Sequence, residues 1–214
     1  MARTVILIPT AHLSKKSVQL VRRTIDEVKP QAVAVELCRN RYYALASGRR
    51  ATAKELIRRG NLFLAIVSML QNRLSKQIGL LPGAEMIEAV KVARERNLPV
   101  FLIDQDIFTI MRSFRKIPLR EKLRMFFLTG GIPKKATIDE LTEEKTVSGI
   151  LEAMRRKMPV TYKALVEDRN RFMARQLKSL PFESVVAVVG AGHASGIKRI
   201  LEVKNADRRR KKAV

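Results

Sequence analysis

The sequence is poor in the residues that most often announce a function. It holds a single cysteine, Cys38, among 214 residues. A lone thiol excludes an intrachain disulfide framework and any zinc site built on clustered cysteines, and it fits a reducing compartment. Cys38 itself reads as a small core residue. Tryptophan is absent and aromatics make up only 5%, so Ile, Leu, Val, Ala and Met must fill the interior. Long apolar runs are missing too. The longest, Leu62 to Leu70, is about half the roughly 20 residues that a membrane-spanning helix needs. The run Val5 to Ile8 is too short for the apolar region of a signal peptide. These features point to a cytoplasmic location, with the cytoplasmic face of a membrane as the variant.

Acidic residues are scarce: Asp and Glu number 20 against 43 Lys and Arg, a formal net charge of +23. Such an excess draws polyanions, among them the anionic inner leaflet of a membrane. A solvated basic surface arising from lineage or thermal adaptation gives the same count. Nucleic acid ranks last as a partner, since neither a recognisable binding motif nor a stacking platform of aromatics is present. Self-association stays open.

What is present suffices for one sizeable core, at 46% hydrophobic. Four short runs (Val5 to Ile8, Ala32 to Leu37, Val100 to Ile103 and Val185 to Val189) are almost wholly apolar, the pattern of strands covered on both faces of a parallel sheet. Helical periodicity separates them. Ser14 or Ser17 opens a helix to about Val28, with Val18, Val21, Ile25 and Val28 on one stripe and Pro30 behind it. A long helical insertion covers Arg41 to Ser47, Thr52 to Arg59, Leu62 to Ile78 and Gly83 to Arg96. A second block runs from Ile107 to Leu180, broken at Pro118, at residues 129–133 and at Pro159. A short helix from about Ser195 to Val203 follows the last strand, and the basic run Asp207 to Lys212 lacks apolar periodicity and reads as disordered alone. The expectation is one α/β domain over residues 1–203: a small, mainly parallel sheet flanked by helices, with helical insertions at about 40–96 and 107–180, then a basic tail at 204–214.

In open α/β sheets, ligands bind beyond the carboxyl ends of the strands. The first strand leads to His12, the second to Glu36, the third to Asp104 and Asp106, and the fourth to His193. Both histidines of the chain therefore fall at strand ends, beside two sources of carboxylate. Neutral imidazoles with a carboxylate bind a divalent transition metal (Mn, Co or Zn), which lowers the pKa of bound water. Without metal, the same groups perform general acid–base chemistry directly. Arg39 and Arg41 follow Glu36 and are placed to steer an anionic substrate, or simply to begin a solvated helix. Glu85, in the first turn of its helix, is favoured there by the helix dipole and is more often a cap than a ligand. The glycines at 190, 192 and 196 suggest a dinucleotide-binding turn, but the strand and acidic residue that such a site needs do not follow. Gly130-Gly131 lacks the G-K-[ST] ending of a phosphate-binding loop.

Several blocks resemble one family. Thr10-Ala11-His12-Leu13-Ser14, Val33 to Tyr42 with Glu36 inside it, Pro82-Gly83-Ala84-Glu85-Met86, Ile103-Asp104-Gln105-Asp106-Ile107, Glu167 to Ala174, and Gly190-Ala191-Gly192-His193 resemble, in order, the TraB/PrgY (pheromone-shutdown) family. That family is grouped with the Tiki proteins, proposed metal-dependent peptidases, and with erythromycin-esterase-like proteins. The resemblance implies a metal-dependent, peptidase-like hydrolase acting on a peptide or small molecule, with His12, Glu36 and His193 as metal ligands or catalytic groups. A regulatory, peptide-binding module without catalysis is the alternative it carries. It implies that Arg169 and Asn170 turn inward, and these two, with Arg39, Arg41, Glu85, Asp104 and Asp106, are the expected substrate-binding residues. Prokaryotic relatives with a C-terminal membrane region imply a membrane-associated protein. Two positions depart from the pattern: Pro9 stands where glycine opens the first G-x-x-H motif, restricting φ and removing an N–H, and Gln105 stands where an arginine is expected.

Overall fold

The structure, a computed structural model, describes residues 4–10, 15–47, 58, 83–130 and 144–212. Its centre is a parallel sheet of β1 (Thr4–Thr10), β2 (Ala32–Val35), β3 (Val100–Leu102) and β4 (Ser184–Gly190), in the order β1-β4-β2-β3. The four apolar runs are thus the four described strands, and every pairing is parallel.

The period-2 rule of a strand sends alternate side chains to opposite faces. Val33, Val35, Val186 and Val188 meet α1 (Lys15–Val28) and α3 (Ala84–Glu95) through Val21, Ile25, Met86 and Ala89. Ala32, Ala34, Val185, Ala187 and Val189 meet α8 (Asp168–Ser179) and α9 (Ala191–Lys212) through Met173, Ala174, Leu177 and Ile197. Burying a Val, Leu or Ile side chain fully stabilises by roughly 1.5–3 kcal/mol, so two such layers account for the continuous apolar runs. β1 lies on the sheet edge. An edge strand tolerates a residue without an N–H, and β1 continues through Pro9 to Thr10, which pairs with Gly190.

The first face is tied by charge as well. Arg22 of α1 donates to Glu88 and Glu95 of α3, and Arg96 pairs with Asp26. After β2 the chain forms α2 (Arg39–Ala46), with buried Cys38 as its N-terminal flanking residue. Gly83 precedes α3 at φ 92°, and a β-carbon there would lie 2.9 Å from Leu45 Cδ1, so only glycine fits both the turn and the contact. The expected helices at Thr52 to Arg59 and Leu62 to Ile78 lie, apart from Arg58, outside the described residues.

The second helical block contains α4 (Ile107–Arg115), α5 (Leu119–Gly130), α6 (Glu144–Lys157) and α7 (Pro159–Tyr162). The breaks at Pro118 and Pro159 fall where proline places them, and Pro159 takes the first helical position, where its missing N–H costs nothing; the break expected at 129–133 lies, beyond Gly130, outside the described residues. A π-helical segment, Lys163–Glu167, joins α7 to α8. The helix expected from Ser195 to Val203 begins at Ala191 and runs through the basic residues to Lys212. Arg and Lys are good helix formers and are favoured at a helix C-terminus. Among the described residues, no helix is long and apolar enough to cross a membrane.

Candidate functional site

Three strands end and two helices begin at one rim of the sheet. β2 terminates at Val35 and the chain turns through Glu36, whose side chain is 3% exposed. The Gly190 N–H at the end of β4 donates to Glu36 Oε2 at 2.7 Å, anchoring one carboxylate oxygen to the sheet. Asp104 follows β3, and its Oδ1 accepts from the Gln105 N–H at 2.8 Å. His193 stands in the first turn of α9, directly after β4. Asn170 and Arg169 come from the first turn of α8.

Arg169 is the hub. Its Nε donates to Asp104 Oδ1 at 3.0 Å and its Nη2 to Asp104 Oδ2 at 2.9 Å, a two-pronged pairing of fork and carboxylate. Nη2 also donates to Glu36 Oε1 at 2.5 Å, and Nη1 to His193 Nε2 at 2.9 Å. Burial alone would push the pKa of this guanidinium down. The charges of Glu36 and Asp104 and their hydrogen bonds outweigh that and raise it above the ordinary arginine value. Arg41 Nη1 stands 3.6 Å from Asp104 Oδ2 and adds a second, half-exposed cation. Two carboxylates therefore face two guanidinium groups, so the buried charge is matched.

The hydrogen bonds fix the form of His193. Asn170 Oδ1 lies 2.7 Å from Nδ1, so Nδ1 carries the proton and donates. Nε2 keeps its lone pair and accepts from Arg169. The ring is oriented at one nitrogen and basic at the other.

Glu36 Oε1 and His193 Nε2 are 3.5 Å apart, close to the edge of a tetrahedral site with bonds of about 2.1 Å. Arg169 fills that edge, however, taking Oε1 and Nε2 together. Among the described residues no group of three or more His, Cys, Asp or Glu could hold an ion. A divalent ion (the expected Mn, Co or Zn) at that edge would have to displace the Arg169 guanidinium from Glu36 and His193. His12 lies outside the described residues.

The remaining candidates are placed differently. Glu85 is buried at the start of α3 and accepts from the Thr10 hydroxyl at 3.4 Å. Asp106 caps α4, its Oδ1 accepting from the Phe108 N–H at 2.8 Å, and its Oδ2 accepts from Asn40. Arg39 is exposed at the start of α2. Two glycines of the 190–196 turn contribute in ways the sequence did not indicate: Gly190 through its backbone N–H, and Gly196 through close approach, since a β-carbon there would stand 2.2 Å from Asn170 Nδ2. Arg169 and Asn170 did leave a trace, as polar residues at the head of the stripe Asn170, Met173, Ala174, Leu177 that α8 buries.

A parallel, three-layer α/β fold with a closed Glu–Asp–Arg–His–Asn cluster at the carboxyl rim defines the class. The chain belongs to the TraB/PrgY/gumN family, whose model matches residues 2–207. It is 33% identical to an uncharacterized protein of Methanocaldococcus jannaschii over 92% of this chain and 53% of that one. It is 27% identical to the TraB domain-containing proteins of Mus musculus and Homo sapiens, over 91% of this chain and 62% of each. The chain thus spans little more than half the length of these relatives.

Proposed function

We propose that this chain is a hydrolase of peptide-like bonds in which His193 is the general base and needs no resident metal. The observation that supports this is the pairing of Nδ1 with Asn170, which leaves Nε2 as a directed lone pair beside Glu36 and Arg169. A substrate carbonyl oxygen accepting from Arg169 Nη1 in place of Nε2 would release that lone pair. Nε2 then takes a proton from water as the water oxygen bonds to the carbonyl carbon. Arg169 faces the charge that develops on the carbonyl oxygen. As the C–N bond breaks, the proton passes from Nε2 to the departing amine. Glu36, held by the Gly190 N–H, faces the imidazolium that forms meanwhile. Arg41, a third exposed along its side chain, is the cation best placed to meet an anionic group of the substrate.

The matched charge of the cluster favours a second reading, in which the same rim binds a peptide signal without turnover. Incubating the full chain with a mixed peptide library, with and without chelator and with added Mn, Co or Zn, separates the readings. The hydrolase reading expects chelator-resistant cleavage that falls at least about a hundredfold in His193→Ala and partly in Asn170→Ala. Cleavage that requires added metal would replace the metal-free route. Peptide binding by wild type without cleavage under any condition would leave the binding module.

A further inference from the structure

We propose that the face formed by α5 and the α6–α7 turn is a docking surface for an anionic phospholipid bilayer. This does not depend on the hydrolase reading. Glu121 of α5 points inward, 1% exposed, and accepts from the Thr161 N–H at 2.8 Å, the Thr161 hydroxyl at 2.7 Å and the Val160 N–H at 3.4 Å. Fixing that side inward turns the opposite side outward. Leu119 and Leu123, one helical turn apart on the same row, are 71% and 51% exposed, and Val160, whose N–H meets Glu121, is 37% exposed. Arg120 and Arg124 form the adjacent exposed row, and Arg124 donates to the Lys157 carbonyl at 2.8 Å, which draws exposed Lys157 alongside.

The charges of this face differ from those of the α1–α3 face. There Arg22, Arg23 and Arg96 are matched by Glu88, Glu95, Glu27 and Asp26. Over residues 107–125 the sequence has six bases and one acid, and that acid is the buried Glu121. This segment therefore carries +5 of the chain's +23, and no exposed acid offsets its bases beside the aliphatic side chains. Aliphatic residues interleaved with bases on a helix surface fit a lipid interface, where the apolar groups enter the acyl boundary and the cations meet headgroups. Nucleic acid would use the cations but leave the leucines in water.

The test is co-sedimentation of the full chain with phosphatidylcholine vesicles, with and without phosphatidylglycerol. Binding is expected only to the anionic vesicles. At about fivefold per cation near the surface, Arg120→Gln/Arg124→Gln should weaken it by more than tenfold. Leu119→Ser/Leu123→Ser, which leaves the charge unchanged, should weaken it at least several-fold. Arg23→Gln/Lys91→Gln, which removes two cations from the α1–α3 side, should leave it near wild type. All these side chains are exposed or half-exposed, so the unfolding midpoints should stay together. Wild-type binding by the leucine variant would overturn the proposal, as would equal losses in the two charge variants. So would duplex DNA binding that is stronger than vesicle binding and insensitive to the leucines.

Discussion

Gly196 offers the sharpest check on the His193–Asn170 pair, because its replacement by alanine should destabilise where helix propensity says the reverse. An exposed helical glycine replaced by alanine gains about 1 kcal/mol. At 196, however, the new β-carbon would stand 2.2 Å from Asn170 Nδ2 and 3.1 Å from its Cγ. Asn170 cannot swing aside freely, since its Oδ1 holds His193 Nδ1 at 2.7 Å. Moving it leaves a buried imidazole N–H and a buried amide without partners, at about 1–3 kcal/mol for each unsatisfied group. Set against the propensity gain of about 1 kcal/mol, the net loss is about 1–5 kcal/mol. At roughly 2–4 °C per kcal/mol for a chain of this size, the midpoint should fall by about 2–20 °C. Gly149 provides the control: it lies in α6 with nothing within 4 Å of an added β-carbon, so Gly149→Ala should stabilise by about 0.5–1 kcal/mol. Thermal and urea unfolding read both. In an Asn170→Ala background the obstruction is gone, and most of the cost of Gly196→Ala should vanish. A Gly196→Ala protein at least as stable as wild type would refute the close approach of α9 to Asn170.

Three further outcomes follow from the same geometry. Arg169→Met should cost about 3–5 kcal/mol, because it strands the carboxylates of Glu36 and Asp104; adding Glu36→Gln and Asp104→Asn should recover part of that in urea unfolding, and a triple variant no more stable than the single one would contradict the ion-pair account. Burial pushes the Glu121 carboxyl up, but hydrogen bonds from the Thr161 backbone, the Thr161 hydroxyl and Val160, with the charge of Arg120, bring it below its ordinary value. Its contribution, about 1–3 kcal/mol, should be complete above the unfolded pKa near 4.3 and fade as pH falls through the lowered folded value; Glu121→Gln should therefore lose its deficit to wild type on acidification, and a deficit constant with pH would exclude this role. Lys29 sits at φ 48°, a conformation costing an L residue roughly 1–2 kcal/mol, so Lys29→Gly should be neutral or stabilising by up to about 1 kcal/mol while Lys29→Val destabilises, both measured by midpoint shift.

The strands were legible because each is sealed on both faces: Ala32 to Val35 and Val185 to Val189 are fully buried, and such runs have no other comfortable home. The placement of Glu36, Asp104 and His193 at one rim also followed from sequence, since parallel strands share a carboxyl edge. What did not follow is how the cluster closes. Sequence offered Arg169 as a group meeting substrate; that its fork also joins Asp104, Glu36 and His193 was not legible there. That engagement depends on the approach of α8 to the sheet, which no local pattern encodes. The π-helical segment Lys163–Glu167, directly before α8, was likewise not legible in the sequence. Asp106 shows how a carboxylate at a strand end is also a helix start: its side chain caps α4 at Phe108.

The strand order gives the cluster its logic. β4 lies between β1 and β2, so the last strand of the chain enters the middle of the sheet and its Gly190 N–H meets Glu36 from a neighbouring strand. β4 thus supplies one anchor of Glu36, while α8 supplies the other through Arg169 and orients the His193 ring through Asn170. Removing Gly190's neighbours or loosening α9 would leave two carboxylates and a guanidinium buried without their full set of partners, and an incomplete polar network is costlier than none. Arginine suits that position better than a bound ion in one respect: it is covalently part of α8, so the cation arrives with the helix that the core already positions through Met173, Ala174 and Leu177.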